Sequence, residues 1–261
     1  MKKTLIIFLI VILAVFIYLG GKFLNSNKVQ ENNNFSELEE ILNATSTAPQ
    51  AEIKEIKEDF ENTFTPYRGQ DLSEIGNDAF IEKVPEKILN DSKAELARLK
   101  SSLEKNPENV DEWIKVGMIK KFYNNYIGAR DAWEYAKYLN DTNSSVYYNL
   151  GNLYGMYLKN NVEGEENFKR ALELEKGETS FYINFADFYR NFYIEKKAEA
   201  EAVIQEGLKN MPNDGSLLVY AGGYYEELGD KEKALLYYKK ALDLDPDNQE
   251  LKNEIEKLSV N

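Results

Sequence analysis

Paired carboxylates are the most frequent pattern in this chain that could do chemistry. Glu165-Glu166 and Glu226-Glu227 are two such pairs, in a sequence with 45 acidic residues against 32 basic ones. Two carboxyls do acid–base or nucleophilic work only where a pocket fixes their separation and drives their pKa values apart. Both pairs fall on stretches that read as solvated helix faces, so no catalysis is expected of them. The run DLDPDNQE, Asp243 to Glu250, has the acid density of a calcium loop. It lacks the central glycine and the spacing to a twelfth-position glutamate. No phosphate-cradling glycine loop or nucleophile elbow is present.

Absent side chains narrow the choice further. The 261 residues include no Cys and no His. That removes disulfides, thiolate nucleophiles, Cys-ligated metals and a lipid-modified cysteine, together with the commonest general base and transition-metal ligand. The net charge of −13 argues against a nucleic-acid surface, which wants clustered Lys and Arg. The reading is no enzyme, no cofactor, no metal and no nucleic acid, and it turns attention to what the helices present.

Those helices recur. YYNLGNLY at 147–154 returns as YINFADFY at 182–189, and more loosely as WIKVGMIK at 113–120 and LVYAGGYY at 218–225. Aligned on Trp113, Tyr147, Tyr182 and Leu218, the copies step by 34, 35 and 36 residues. A second pattern follows each: Ala129-x3-Trp133-x2-Ala136, Gly164-x3-Phe168-x2-Ala171, Ala200-x3-Ile204-x2-Gly207 and Ala234-x3-Tyr238-x2-Ala241. Spacings of three and four residues are helical. The offset between the two patterns runs 16, 17, 18 and 16, so small insertions are expected in a turn between two helices. Gly117, Gly151, Ala186 and Gly222 leave room for close helix contact, with large rings filling the holes opposite. Such a unit cannot bury its apolar face alone, and stacked neighbours complete its core.

These copies resemble the tetratricopeptide repeat (TPR) family, whose pattern is W-x2-L-G-x2-Y, then A-x3-F, then P. The fullest match, Leu218 to Pro246, supplies Ala221-Gly222, Tyr225, the turn Gly229-Asp230, Ala234, Tyr238, Ala241 and Pro246. The second copy has Lys176 in place of the closing proline, the first has Lys120 where Tyr is usual, and the third carries a two-residue insertion. The resemblance implies an all-α fold, a right-handed superhelical solenoid of antiparallel helix pairs. It also implies a concave groove lined by first helices that binds a partner protein or peptide. Inward positions would be Lys115, Met118, Lys121 and Phe122; Tyr148, Asn149 and Asn152; Ile183, Asn184, Asp187 and Arg190; Val219, Tyr220, Gly223 and Glu226. Some family members clamp a carboxylate with basic residues around paired Asn. Asn152 and Asn184 match that pair, but Tyr148, Ser216 and Tyr220 stand where the basic residues are expected.

Upstream, Lys2 and Lys3 precede Thr4 to Gly21, a run without charge until Lys22. Eighteen residues as a helix reach about 27 Å, near the thickness of a bilayer core. The lysines predict a cytoplasmic N-terminus with the repeats extracytoplasmic. A cleaved secretory signal is the alternative, but no Ala-x-Ala-like site follows. Linker composition then leads to AEIKEIKEDFENTF, with Ile53, Ile56, Phe60 and Phe64 at helical intervals. Residues 71–90 show no clear pattern. Ser92 and Glu95 form a capping box opening a helix of Leu96, Leu99 and Leu103.

The expected organisation is a membrane anchor over 1–24, a partly disordered linker over 25–90 and a capping helix or half-repeat over 91–107. Four repeats follow within 108–247, at about 110–143, 144–178, 179–214 and 215–247, then a C-terminal capping helix over 248–261. The expected function is a membrane-anchored protein-interaction module. The alternative is a structural subunit of a bacterial envelope assembly such as a pilus or secretion complex.

Overall fold

The computed structural model describes residues 67–76 and 78–260. The expected anchor and the linker up to residue 66 lie outside the described residues. Among the described residues, no helix is long and apolar enough to cross a membrane.

Eleven α-helices make up the described chain, with no strand among the described residues: α1 Asp78–Ile81, α2 Glu86–Leu103, α3 Val110–Phe122, α4 Tyr126–Leu139, α5 Ser144–Asn152, α6 Asn161–Leu174, α7 Thr179–Asn191, α8 Glu199–Asn210, α9 Gly215–Glu227, α10 Lys231–Leu244 and α11 Gln249–Val260. Short polar residues set most of the starts. Asn109, Asn125, Asn143, Asn160, Asp214, Asp230 and Asn248 each accept the amide three residues on. Each cap satisfies one orphan helix donor, a contribution of about 1 kcal/mol.

Helices α3/α4, α5/α6, α7/α8 and α9/α10 pair as the four expected units. The small residues work as contact points. A methyl group built on Gly117 would lie 2.2 Å from the Trp133 indole, on Gly222 2.5 Å from the Tyr238 ring, and on Gly151 2.9 Å from Phe168. Ala129, Ala136, Ala171, Ala186, Ala200, Ala234 and Ala241 are buried across the same seams. Leu251 of α11 closes the last repeat, with Ile255 and Leu258 packed beside it.

The turns inside the pairs depart from expectation. In the first, second and fourth units three residues join the helices, and the middle one is left-handed: Asn124 at φ 59°, Lys159 at 56° and Gly229 at 76°. The extra residue of the second unit therefore does not enter its turn. It widens the end of α5 into a π-helical stretch, Leu153–Tyr157. The cap amide of Asn125 reaches Lys120 O and that of Asp230 reaches Tyr225 O, whereas that of Asn160 reaches one residue further, to Tyr154 O. Only the third unit places its insertion in the connection, as a 3-10 turn at Ile194–Lys196.

The N-terminal boundary is corrected. Helix α2 begins at Glu86, after Pro85, so Ser92 is an interior residue whose hydroxyl accepts a hydrogen bond from Tyr123 instead of capping. Proline stops a helix from the inside but suits its entrance, where no amide partner is needed. Nor do residues 67–76 and 78–90, expected in the linker, stand apart from the repeats. Leu72 and Ile75 are buried with Leu96, Leu99, Val116 and Tyr123 in one core. The Tyr67 ring lies 4.6 Å from Trp113.

The apolar interior forms two clusters. One runs from Leu72 to Leu153 and the other from Tyr147 to Leu251, so they meet within α5.

Candidate partner-binding surface

One column of hydrogen-bond donors ties each layer to the one before it. Lys120, Tyr154, Tyr189 and Tyr225 occupy equivalent places near the ends of successive first helices. The Tyr154 hydroxyl donates to Glu134 Oε1 at 3.0 Å, Tyr189 to Glu165 Oε1 at 3.0 Å and Tyr225 to Glu201 Oε1 at 2.6 Å. Each acceptor lies on the second helix of the preceding unit. Burial and the neighbouring carboxylate push these three phenols up. Lys120, which departs from the tyrosine pattern, keeps the donor role in the first unit. Its side chain is fully buried, and Nζ donates to Asp71 O at 2.8 Å and Glu74 O at 2.6 Å. An ammonium fits there because the preceding layer is an irregular segment offering backbone carbonyls.

Glu165 overturns the expectation of a solvated face. It is buried and receives Lys169 Nζ and Lys196 Nζ, each at 2.6 Å, besides the Tyr189 hydroxyl. Burial alone would push its carboxyl up, but the three donors bring it below its ordinary value. It lies at one side of a cleft of about 530 Å³ between α6 and α8, floored by Phe185, Tyr189 and Val203. Glu226 is likewise drawn away from the groove. It accepts from Tyr238 at 2.9 Å and from Lys257 of α11 at 3.1 Å.

The remaining groove candidates divide into two sets. In the middle and last units they hold one another. The Tyr148 ring stacks on Phe181 at 4.6 Å, and its hydroxyl accepts from Asn184 Nδ2 at 2.9 Å. Asn152 is buried and donates to Tyr148 O of its own helix, and Asn184 also donates to Ser180 O. Asn184 spends both amide hydrogens on these contacts and Asn152 is buried, so the two do not present a matched amide pair to a carboxylate. Arg190 has a side chain only 13% exposed, bonded to Asp187, Tyr220 and Glu227. The Tyr220 hydroxyl closes the set by donating to Asp187 at 2.6 Å. The Tyr148 contacts join α5 to α7 and the Arg190 set joins α7 to α9, making Tyr148, Asn184, Asp187, Arg190 and Tyr220 braces between repeats. Asn149 is half-buried.

In the first unit the candidates are open. Met118 and Phe122 are 56% and 55% exposed, and Lys115 is exposed beside them. Lys121 is half-buried with its Nζ 5.1 Å from the Tyr157 ring, and burial lowers its pKa. The Phe80 ring meets Phe122 edge-on at 6.0 Å. Among the described residues, no group of three or more acidic side chains is placed to hold a metal ion.

Two segments, residues 144–177 and residues 216–248, match the tetratricopeptide repeat family. They coincide with the second and fourth helix pairs, so the chain carries tetratricopeptide repeats, a fold that suggests a protein–protein interaction module. No curated protein matches the chain in sequence. Among solved structures, YrrB, a TPR protein with an unusual peptide-binding site, is 23% identical, covering 66% of this chain and 86% of its own, with a TM-score of 0.47. MamA is 22% identical, covering 66% of this chain and 97% of its own, with a TM-score of 0.49. PilF of Pseudomonas aeruginosa is 17% identical over 57% of this chain and 67% of its own, at 0.45.

Proposed function

We propose that this protein is a membrane-anchored, extracytoplasmic interaction module without catalytic activity, which binds a partner protein or peptide along the first helices. The anchor is residues 4–21, with the N-terminus cytoplasmic. The observation that carries the binding reading is the contrast within the groove face. Its middle is closed by its own hydrogen bonds, while α3 leaves Met118 and Phe122 exposed beside Lys115 and Lys121. Exposed apolar side chains next to cations suit an anchoring contact in an interface core with a polar rim.

The test is crosslinking capture from membranes with the full chain as bait, in parallel with a Met118→Ser, Phe122→Ser protein. The double variant is expected to lose about tenfold or more in partner recovery, the equivalent of 1.4 kcal/mol or above. Both side chains are more than half exposed, so its melting temperature falls only slightly, through the lost contact of Phe122 with Phe80. Unchanged recovery would remove α3 as the binding surface. Retention of the protein in the pellet after alkaline carbonate washing tests the anchor, and a mature N-terminus near Lys22 would refute it.

A further inference from the structure

The ends where first helices turn into second helices carry a row of apolar tips. In the first three units these are Ile127, Tyr157 and Val162, and Phe192 and Ile194, all between 42% and 58% exposed. The tips form one edge because successive turns touch. Tyr126 meets Tyr157 at 4.7 Å between ring centroids, Lys121 Nζ sits over Tyr157, and Asn161 Nδ2 donates to Phe192 O. Single exposed apolar residues need no explanation, but a contiguous row marks an interaction surface.

Charge identifies the occupant. Each of the three turns holds one lysine with no ion-pair partner among the described residues: Lys121, Lys159 and Lys197. Glu163 and Glu195 are the only acids within 121–127, 157–163 and 192–198, in a chain whose net charge is −13. The row ends where the acids return. In the fourth unit Leu228 is exposed, but Glu226, Glu227, Asp230 and Glu232 surround that turn.

From this we infer that the turn edge of the first three repeats is a lipid-contacting surface, seated on a bilayer with anionic headgroups. Apolar tips reach the boundary between headgroups and acyl chains, and the lysines stay at headgroup level with their stems along the apolar layer. Each lysine near an anionic surface adds a favourable term that salt screens. A protein partner would be better served by a recess than by a row of exposed apolar tips along one edge.

The absence of native cysteine allows a clean test in the full chain. Single-cysteine proteins Val162→Cys, Ile127→Cys and Lys239→Cys, the last on exposed α10, are labelled with a polarity-sensitive dye. They are reconstituted into phosphatidylcholine vesicles with about a third phosphatidylglycerol. Dyes at 127 and 162 are expected to shift to the blue and to be quenched at least twofold by lipid-borne quenchers, with the dye at 239 unchanged. Whatever residues 4–21 contribute to retention, this readout is local to the edge. An Ile194→Ser change in the Val162→Cys background should cut the quenching while leaving the helical melt intact. A blue shift without lipid quenching would mean that protein, another chain or a second copy, covers the edge, and would overturn the inference. So would an unshifted dye at 162. None of the variants touches Met118 or Phe122, so partner capture by the groove is scored separately.

Discussion

Lys120 shows how a residue that breaks the repeat pattern keeps the repeat's work. Replacing it with Met removes two charge-assisted bonds that hold residues 71–74 on α3, at a cost of about 1 to 3 kcal/mol in urea denaturation, although Asp71 O keeps the Glu74 amide and Glu74 O keeps Asn125 Nδ2. Glu165 and Glu201 give the same column a pH dependence. Donors hold both carboxyls below the ordinary 4.5. A depressed folded value means that the unfolded chain takes up the proton first. The stabilisation is therefore present above pH 4.5 and lost as pH falls through the lower, folded value. The melting temperature is expected to hold from about pH 7 to 5 and to drop below about 4.5, less steeply in Glu165→Gln. Tyr225 and Tyr189 were visible in the sequence as repeat positions. Their acid partners, 24 residues away in each case, were not. A hydrogen bond between layers leaves no periodic mark, and a glutamate on a helix face reads as solvated until its neighbour is placed.

At the scale of the elements, helix spacing and the small-residue seams were legible because both are local. Gly151→Leu is expected to cost about 2 kcal/mol or more, since it must displace the Phe168 ring or the backbone. Lys239→Ala, on an exposed face, stays within about 0.5 kcal/mol. The turns give a contrast of sign. Lys159 is a non-glycine residue held at φ 56°, so Lys159→Gly raises stability by about 0.5 kcal/mol, while Gly229→Ala lowers it by about 1. Equal signs would mean that the two turns are not equivalent. The spacing of 17 in the second unit showed an insertion but not its place. An insertion can widen a helix end by one residue, as in the second unit, or lengthen the connection, as in the third, and the spacing does not distinguish the two. Residues 67–90 were opaque for a different reason: the strap owes its place to Lys120, Asp131 and Trp113 and has no repeat of its own.

For the whole molecule, the groove is largely a set of braces. Arg190→Ala removes contacts to Asp187, Tyr220 and Glu227 that join two repeats, so it lowers the melting temperature and does not act on binding alone. Tyr148→Ala does the same through Phe181 and Asn184. Each is expected to cost about 1 to 2 kcal/mol by thermal melting monitored by circular dichroism. An unchanged melt in either protein would return that residue to the binding surface. Sequence position assigned these side chains to a solvent-facing groove because the family pattern fixes which way a residue points. It does not fix whether a neighbouring repeat already answers it.

The meeting of the two apolar clusters within α5 has a mechanical consequence. Val146 and Leu150 belong to the first, while Tyr147, on the same helix, belongs to the second. Stacked repeats can open one cooperative unit at a time. A pull between the strap and the C-terminal helix should therefore not rupture the array at once. It should pass through a state in which one cluster has let go and the other still bears load, with α5 as the joint between them. Such a chain yields in two steps under tension and keeps half of its layers in register for re-coiling when the load is released.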